Sequence, residues 1–154
     1  MFSKILVPLD GSELAAKVLP SVAELAKTFN SKVTLIHVCH TEVIGEASPG
    51  VLAAAPAAEK KACEAFLAKA GQQLEGQGVK ANTICLEGVP AREIIGYADK
   101  NKMELIAMTT HGRGEVAWVL GSVAEKVVSH ATVPVLLFRV MEFKPPVLKE
   151  EFFM

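Results

Sequence analysis

The sequence predicts an α/β fold: a doubly wound, five-stranded parallel sheet in the order 3-2-1-4-5, with helices on both faces. Three observations carry that prediction. Short apolar runs alternate with stretches whose apolar residues recur every three or four positions, giving the order βαβαβαβαβ. The chain is 51% hydrophobic but only 6% aromatic, so its core is made of Val, Ile, Leu and Ala, as in parallel sheets buried on both faces. Its 154 residues fit one domain, a size that buries about two thirds of the surface of the unfolded chain.

Lys4 to Leu9 is the first apolar run. Asp10-Gly11-Ser12-Glu13 follows as a turn, with Asp10 as an N-cap and Glu13 as a capping-box acid three residues on. Leu14, Val18, Val22, Leu25 and Phe29 then mark one face of a helix, which Pro20 bends and Asn30 ends. Lys32 to Cys39 is the second strand. Thr41 to Pro56, rich in Gly, Ala, Ser and Pro, is expected to be a long surface loop, a lid or an interface element. A helix from Ala57 to Glu75 places Ala62, Phe66, Ala70 and Leu74 on one face, and Gly76-Gln77-Gly78 stops it. Val79 to Glu87 is the third strand. Pro90 suits a first helical position, and Ile94, Ile95 and Ala98 supply the next stripe. Met103 to Thr109, Ser122 to Ala131 and Val133 to Arg139 are the fourth strand, last helix and fifth strand.

The net charge of −1 and pI near 6.4 give no electrostatic basis for nucleic acid or an anionic membrane as partner. No apolar run approaches the roughly 18 residues of a membrane span, and the amino terminus lacks a signal-peptide pattern, so a soluble cytoplasmic protein is expected. Cys39, Cys63 and Cys85 are odd in number and widely spaced, which predicts reduced, mostly buried thiols. His37, Cys39 and His40 invite a metal reading, but on a strand His37 and Cys39 share a face while His40 points away, so no metal site is expected there.

Met108 to Val123 carries the chemistry. Gly112 and Gly114 let the backbone present N–H groups that no Cβ obstructs, and Gly121-Ser122-Val123 supplies the N–H groups and positive dipole end of a helix start. Together these are the parts of a phosphate cradle. In the order 3-2-1-4-5, strands 1 and 4 lie side by side where the winding reverses, so Asp10 and the Met108 to Gly112 segment meet at one crevice. No lysine stands beside Gly121-Ser122, so a Walker A loop is excluded, and Gly112-Arg113-Gly114-Glu115-Val116-Ala117 follows the wrong strand for a dinucleotide fingerprint.

Leu6-Val7-Pro8-Leu9-Asp10-Gly11-Ser12, Leu35-Ile36-His37-Val38, Glu87-Gly88-Val89-Pro90, Thr110-His111-Gly112-Arg113 and Gly121-Ser122-Val123, in that order, resemble the universal stress protein family over about residues 2 to 139. The resemblance implies the adenine nucleotide alpha hydrolase-like fold and a universal stress protein domain over 1–140, while the 141–154 tail carries Phe143, Val147, Leu148, Phe152 and Phe153 and is therefore expected to cover a dimer partner. The resemblance also implies ATP as cofactor, with magnesium held through the phosphates. Pro8, Leu9 and Asp10 would lie beside adenine and ribose, and Val38 would meet the base. Met108, Thr109, His111, Gly112 and Arg113 would wrap ribose and phosphates, and Gly121, Ser122 and Val123 would bind phosphate oxygens. It further implies a homodimer through the Val133 to Phe138 strand and a role as a stress-response sensor or regulator, the protein partner being unspecified.

The chain departs twice from the family's ATP-binding pattern of Gly, two residues, Gly, nine residues, then Gly and Ser or Thr. Thr109 replaces the first glycine, and eight residues, not nine, separate Gly112 from Gly121. A nucleotide-free dimeric scaffold is therefore a rival reading. A slow ATPase or self-phosphorylating enzyme ranks last, because no general base is evident near the phosphates.

Overall fold

The computed structural model describes residues 1–40, 55–111 and 120–140. The five strands β1 (Lys4–Pro8), β2 (Lys32–His40), β3 (Ala81–Gly88), β4 (Leu105–Thr109) and β5 (Val135–Phe138) form one parallel sheet in the order β3-β2-β1-β4-β5. The predicted topology is the observed one, with most strands a residue or two shorter than their apolar runs.

Alternation along the strands sorts the core into two layers. Ile5, Val7, Val33, Leu35, Leu105 and Ala107 face α1 (Glu13–Ala16), α2 (Leu19–Phe29) and α3 (Ala55–Gly76). Leu6, Ile36, Val38, Ile106 and Met108 face α4 (Pro90–Lys100) and α5 (Ser122–His130). β1 and β4 are buried on both sides, which is why they appear in the sequence as unbroken apolar runs.

Three expectations need correction. Ser12, not Asp10, caps the first helix: its hydroxyl accepts from Ala15 N at 3.1 Å, while Asp10 Oδ1 accepts from Ser12 N at 2.9 Å and from the Ser12 hydroxyl. Gly11, at φ +87°, makes the turn between them. Pro20 splits the helix instead of bending it. The proline has no N–H for the Ala16 carbonyl, so the chain closes α1 with Lys17 N to Leu14 O and Val18 N to Ala15 O bonds, and α2 restarts with Pro20 in its first turn. Asn30 ends α2 in the left-handed conformation, as its type and position predict. In α3 the buried stripe is Cys63, Leu67, Ala70 and Leu74; Ala62 is exposed and Phe66 half-buried.

Most of the Thr41 to Pro56 loop and the whole 141–154 tail lie outside the described residues. Among the described residues no helix is long and apolar enough to cross a membrane.

Candidate functional site

A crevice of about 580 Å³ opens at the carboxyl ends of β1, β2 and β4, within the roughly 300–1,000 Å³ range of small-molecule sites. The strand order reverses between β1 and β4, so the chain leaves those two neighbouring strands toward opposite faces and a gap opens between them. Pro8, Leu9, Asp10 and Gly11 form its floor, Ile36 to His40 one wall, and Met108 to His111 the other. Helix α3 contributes Glu59, Ala62, Cys63 and Phe66; Pro90 and Ile94 of α4 and Val123 and Ala124 of α5 close the far side. The lining is mainly apolar, with polar groups concentrated at Asp10, the two histidines of β2 and the Thr109-Thr110-His111 segment.

Each polar wall is fixed by hydrogen bonds. Leu9 N donates to Ile36 O at 2.9 Å, and the carbonyl of Leu9 accepts from His37 Nδ1 at 2.7 Å. A carbonyl only accepts, so His37 carries a proton on Nδ1, and in the neutral ring the lone pair lies on Nε2. On the opposite wall the Thr109 hydroxyl donates to His111 O at 2.8 Å, and the Thr110 hydroxyl lies 2.7 Å from His111 Nδ1. His111, 2% exposed, is thus part of the scaffold of the crevice. Thr110 N bonds Phe138 O at 3.0 Å, and Gly121 N bonds Thr110 O at 2.9 Å. The two ends of the glycine segment are therefore joined directly, and the head of α5 is pinned to the end of β4.

Helix α5 begins at that pin. Gly121 is its N-cap, and the first intrahelical bond runs from Glu125 N to Gly121 O at 2.8 Å. The amides ahead of it, Val123 and Ala124 among them, precede any helical acceptor and carry the positive end of the dipole.

The cysteines overturn the expectation of three reduced thiols. Cys63 on α3 and Cys85 on β3 form a disulfide with Cα atoms 6.3 Å apart, and Cys39 is a free, buried thiol. Widely spaced cysteines give no local signal for such a pair, because a helix and a strand meet only through the packing of α3 onto the sheet. Burial pushes the Cys39 thiol above its ordinary value of 9.0, and the carboxylates of Glu59 and Glu87 push it the same way. The unfolded chain then ionises this thiol before the folded one does. Stability from this group is full below pH 9.0 and declines as pH rises through the folded value. Iodoacetamide should accordingly label Cys39 more slowly in the native protein than in urea, with a native rate that still climbs above pH 9.0. A native rate that levels off below that pH is the result opposed to this account.

Of the residues singled out from sequence, Pro8, Leu9, Asp10, Val38, Met108, Thr109, His111 and Val123 line one crevice. Gly121 is buried and Ser122 exposed at the adjoining head of α5. Gly112 and Arg113 lie outside the described residues. Sequence reasoning missed His37, Glu59, Cys63 and Phe66 as lining residues. The alternation of β2 that placed His37 and Cys39 on one face was the available signal; that α3 covers this face emerges only from the packing.

A doubly wound α/β chain with its crevice at the reversal of strand order belongs to the class that receives a small ligand at the carboxyl edge of the sheet. More narrowly, this chain belongs to the universal stress protein family, whose model matches residues 1–139. Universal stress protein MJ0531 of Methanocaldococcus jannaschii is 36% identical over 141 residues, covering 90% of this chain and 83% of that one. The structure of MJ0577, from the same organism, superimposes with a TM-score of 0.75 at 29% identity and covers 90% of this chain and 96% of its own. A universal stress protein in complex with cAMP shares the fold at a TM-score of 0.69 and 20% identity, covering 91% of this chain and 98% of its own.

Proposed function

We propose that this protein binds ATP in the crevice between β1 and β4 and acts as a nucleotide-linked regulator. The base would rest against Val38 and the apolar wall, with the ribose toward Asp10. The phosphates would run past Met108 and Thr109 to Gly112 and Arg113 and meet the Gly121-Ser122-Val123 head of α5, with magnesium held through the phosphates. The observation that carries this reading is the bond from Gly121 N to Thr110 O. That bond fixes the head of α5, with its Val123 and Ala124 amides, against the end of β4, where the proposed phosphates would lie. The complex of a family member with cAMP is in keeping with an adenine nucleotide, though at 20% identity that likeness extends to the fold alone.

The same reading makes the protein a cytoplasmic homodimer. β5 is a sheet edge, and its Leu136, together with Val128 of α5, is an exposed large apolar side chain. An edge of that kind, with no further strand beside it among the described residues, is suited to pairing with a second copy through the Val133 to Phe138 strand, and the 141–154 tail would pack across the partner.

The test is mass spectrometry of nucleotide released by heat from freshly purified protein, then titration calorimetry of the emptied protein with ATP and magnesium. Retained or saturably bound ATP is the expected result. A folded dimer that neither retains nor binds ATP would reject the proposal and move the protein to the class of nucleotide-free scaffolds.

A further inference from the structure

The cysteine cluster on the α3 side of the crevice is not used by nucleotide binding, and its chemistry is separate. A ring nitrogen of His37, Cys39 Sγ and Cys63 Sγ all lie within 4.8 Å of one another, and Cys85 Sγ is bonded to Cys63. The cluster follows from the parallel register. His37 of β2 is the direct neighbour of Cys85 on β3, Cys39 lies two residues along on the same face, and α3 lays Cys63 over them. We propose that reduction of the Cys63–Cys85 disulfide converts this cluster into a binding site for a zinc-class divalent ion, with His37, Cys39, Cys63 and Cys85 as its four ligands.

Three features beyond proximity support the site. Three thiolates and one imidazole are the donor set of tetrahedral zinc, which takes sulfur at about 2.3 Å and nitrogen at about 2.0–2.1 Å, so that neighbouring ligand atoms stand about 3.8 Å apart. The ligand atoms of His37, Cys39 and Cys63 already lie within 4.8 Å of one another, and Cys85 Sγ, bonded to Cys63, would swing in as the fourth once the disulfide opens. His37 is already arranged as metal-binding histidines are, with Nδ1–H held by the carbonyl of Leu9 at 2.7 Å and the lone pair on Nε2. The ion has an entry path, since His37, Cys39 and Cys63 line the crevice together with the carboxylate of Glu59, whose charge favours a cation.

The chemistry balances with a dithiol as reductant. The dithiol closes to its own disulfide and gives up two electrons and two protons, which cleave the Cys63–Cys85 bond into two thiols. Cys39, Cys63 and Cys85 then each pass a proton to the buffer as the ion binds, and neutral His37 supplies the fourth ligand. Oxidation of the pair withdraws two ligands at once, so the site is gated by redox state.

Cobalt(II) is the probe, because thiolate-to-cobalt charge transfer and the intense visible bands of tetrahedral cobalt report this ligand set directly. Nucleotide-free protein, reduced with a dithiol and desalted without oxygen, is titrated alongside the oxidised protein. The expected result is one equivalent of cobalt with both band types in the reduced protein, displaced by zinc, and none in the oxidised protein. Cys39→Ser and Cys63→Ser, examined reduced, should each lose more than about 10-fold in affinity along with part of the charge-transfer band. Absence of these bands from reduced wild-type protein, or equal cobalt binding in both redox states, overturns the proposal without recourse to any variant. So does retention of wild-type affinity in both serine variants.

Discussion

Replacing Ser122 with glutamate should abolish ATP binding while leaving the fold intact. Ser122 is the first residue of α5 and is exposed, so a longer side chain is accommodated. A carboxylate in the first turn favours the helix itself by about 0.3–1 kcal/mol, because it faces the positive end of the dipole. That is the place the proposed phosphates would take. Two like charges about 4 Å apart near a protein surface repel by about 4 kcal/mol, which corresponds to about a thousandfold loss of affinity. Ser122→Ala removes only a hydroxyl donor, and its loss should be about 10- to 100-fold. Calorimetry on both variants, with circular dichroism as the check on folding, gives the ordering wild type, alanine, glutamate. Wild-type affinity in Ser122→Glu would place the phosphates away from α5. The complementary change Gly121→Val meets no backbone obstacle, since Gly121 has φ −56° and ψ 149°. It should block the amides sterically, but Gly121 is buried, which makes the glutamate variant the cleaner instrument.

Most of the fold was legible in the sequence because its signals are local. Apolar runs bounded by Asn30, Gly76 to Gly78 and Gly88 to Pro90 delimit the strands, and the alternation of strand and helix leaves few topologies for a parallel sheet. Errors arose where two residues compete for one role. Asp10 and Ser12 are both capping types, and only the Asx turn through Gly11 decides that Asp10 supports Ser12. In α3, Ala62 and Phe66 run beside Cys63 and Leu67, two adjacent stripes of similar spacing in an alanine-rich helix. The wrong choice of stripe hid Cys63 from view, and with it both the disulfide and the convergence on His37 and Cys39. The candidate site divides in the same way. Its β1 and β4 walls follow from topology and motif, whereas its α3 wall depends on the rotation of one helix about its axis.

That rotation turns Leu67 and Leu74 fully into the core, and the second large effect is expected at Leu67. Leu67 is fully buried between α3 and the sheet, in the cluster that holds Val33, Leu35 and Leu74. Leu67→Ala leaves a cavity in a layer with few aromatic side chains to collapse into it, at a cost of about 2–5 kcal/mol. For a domain whose stability is about 5–15 kcal/mol, this is a large share, and the urea midpoint should fall by about 1–2 M. The disulfide bears on how the loss is distributed. Cys63 and Cys85 close a segment of sequence separation 22 that contains most of α3, a constraint worth about 3 kcal/mol in the chain-entropy account. In the oxidised variant the amino-terminal part of α3 therefore stays attached to β3, and unfolding remains a single transition at lower urea. In the reduced variant both restraints on the helix are weakened together. The midpoint should fall further, and α3 should lose hydrogen-exchange protection ahead of β1, β2 and β4. If oxidised and reduced Leu67→Ala unfold at the same urea concentration, α3 is held by its apolar stripe alone and the disulfide is energetically silent. If they separate as expected, the wall of the crevice that carries Glu59, Cys63 and Phe66 is secured by a bond that a dithiol can open.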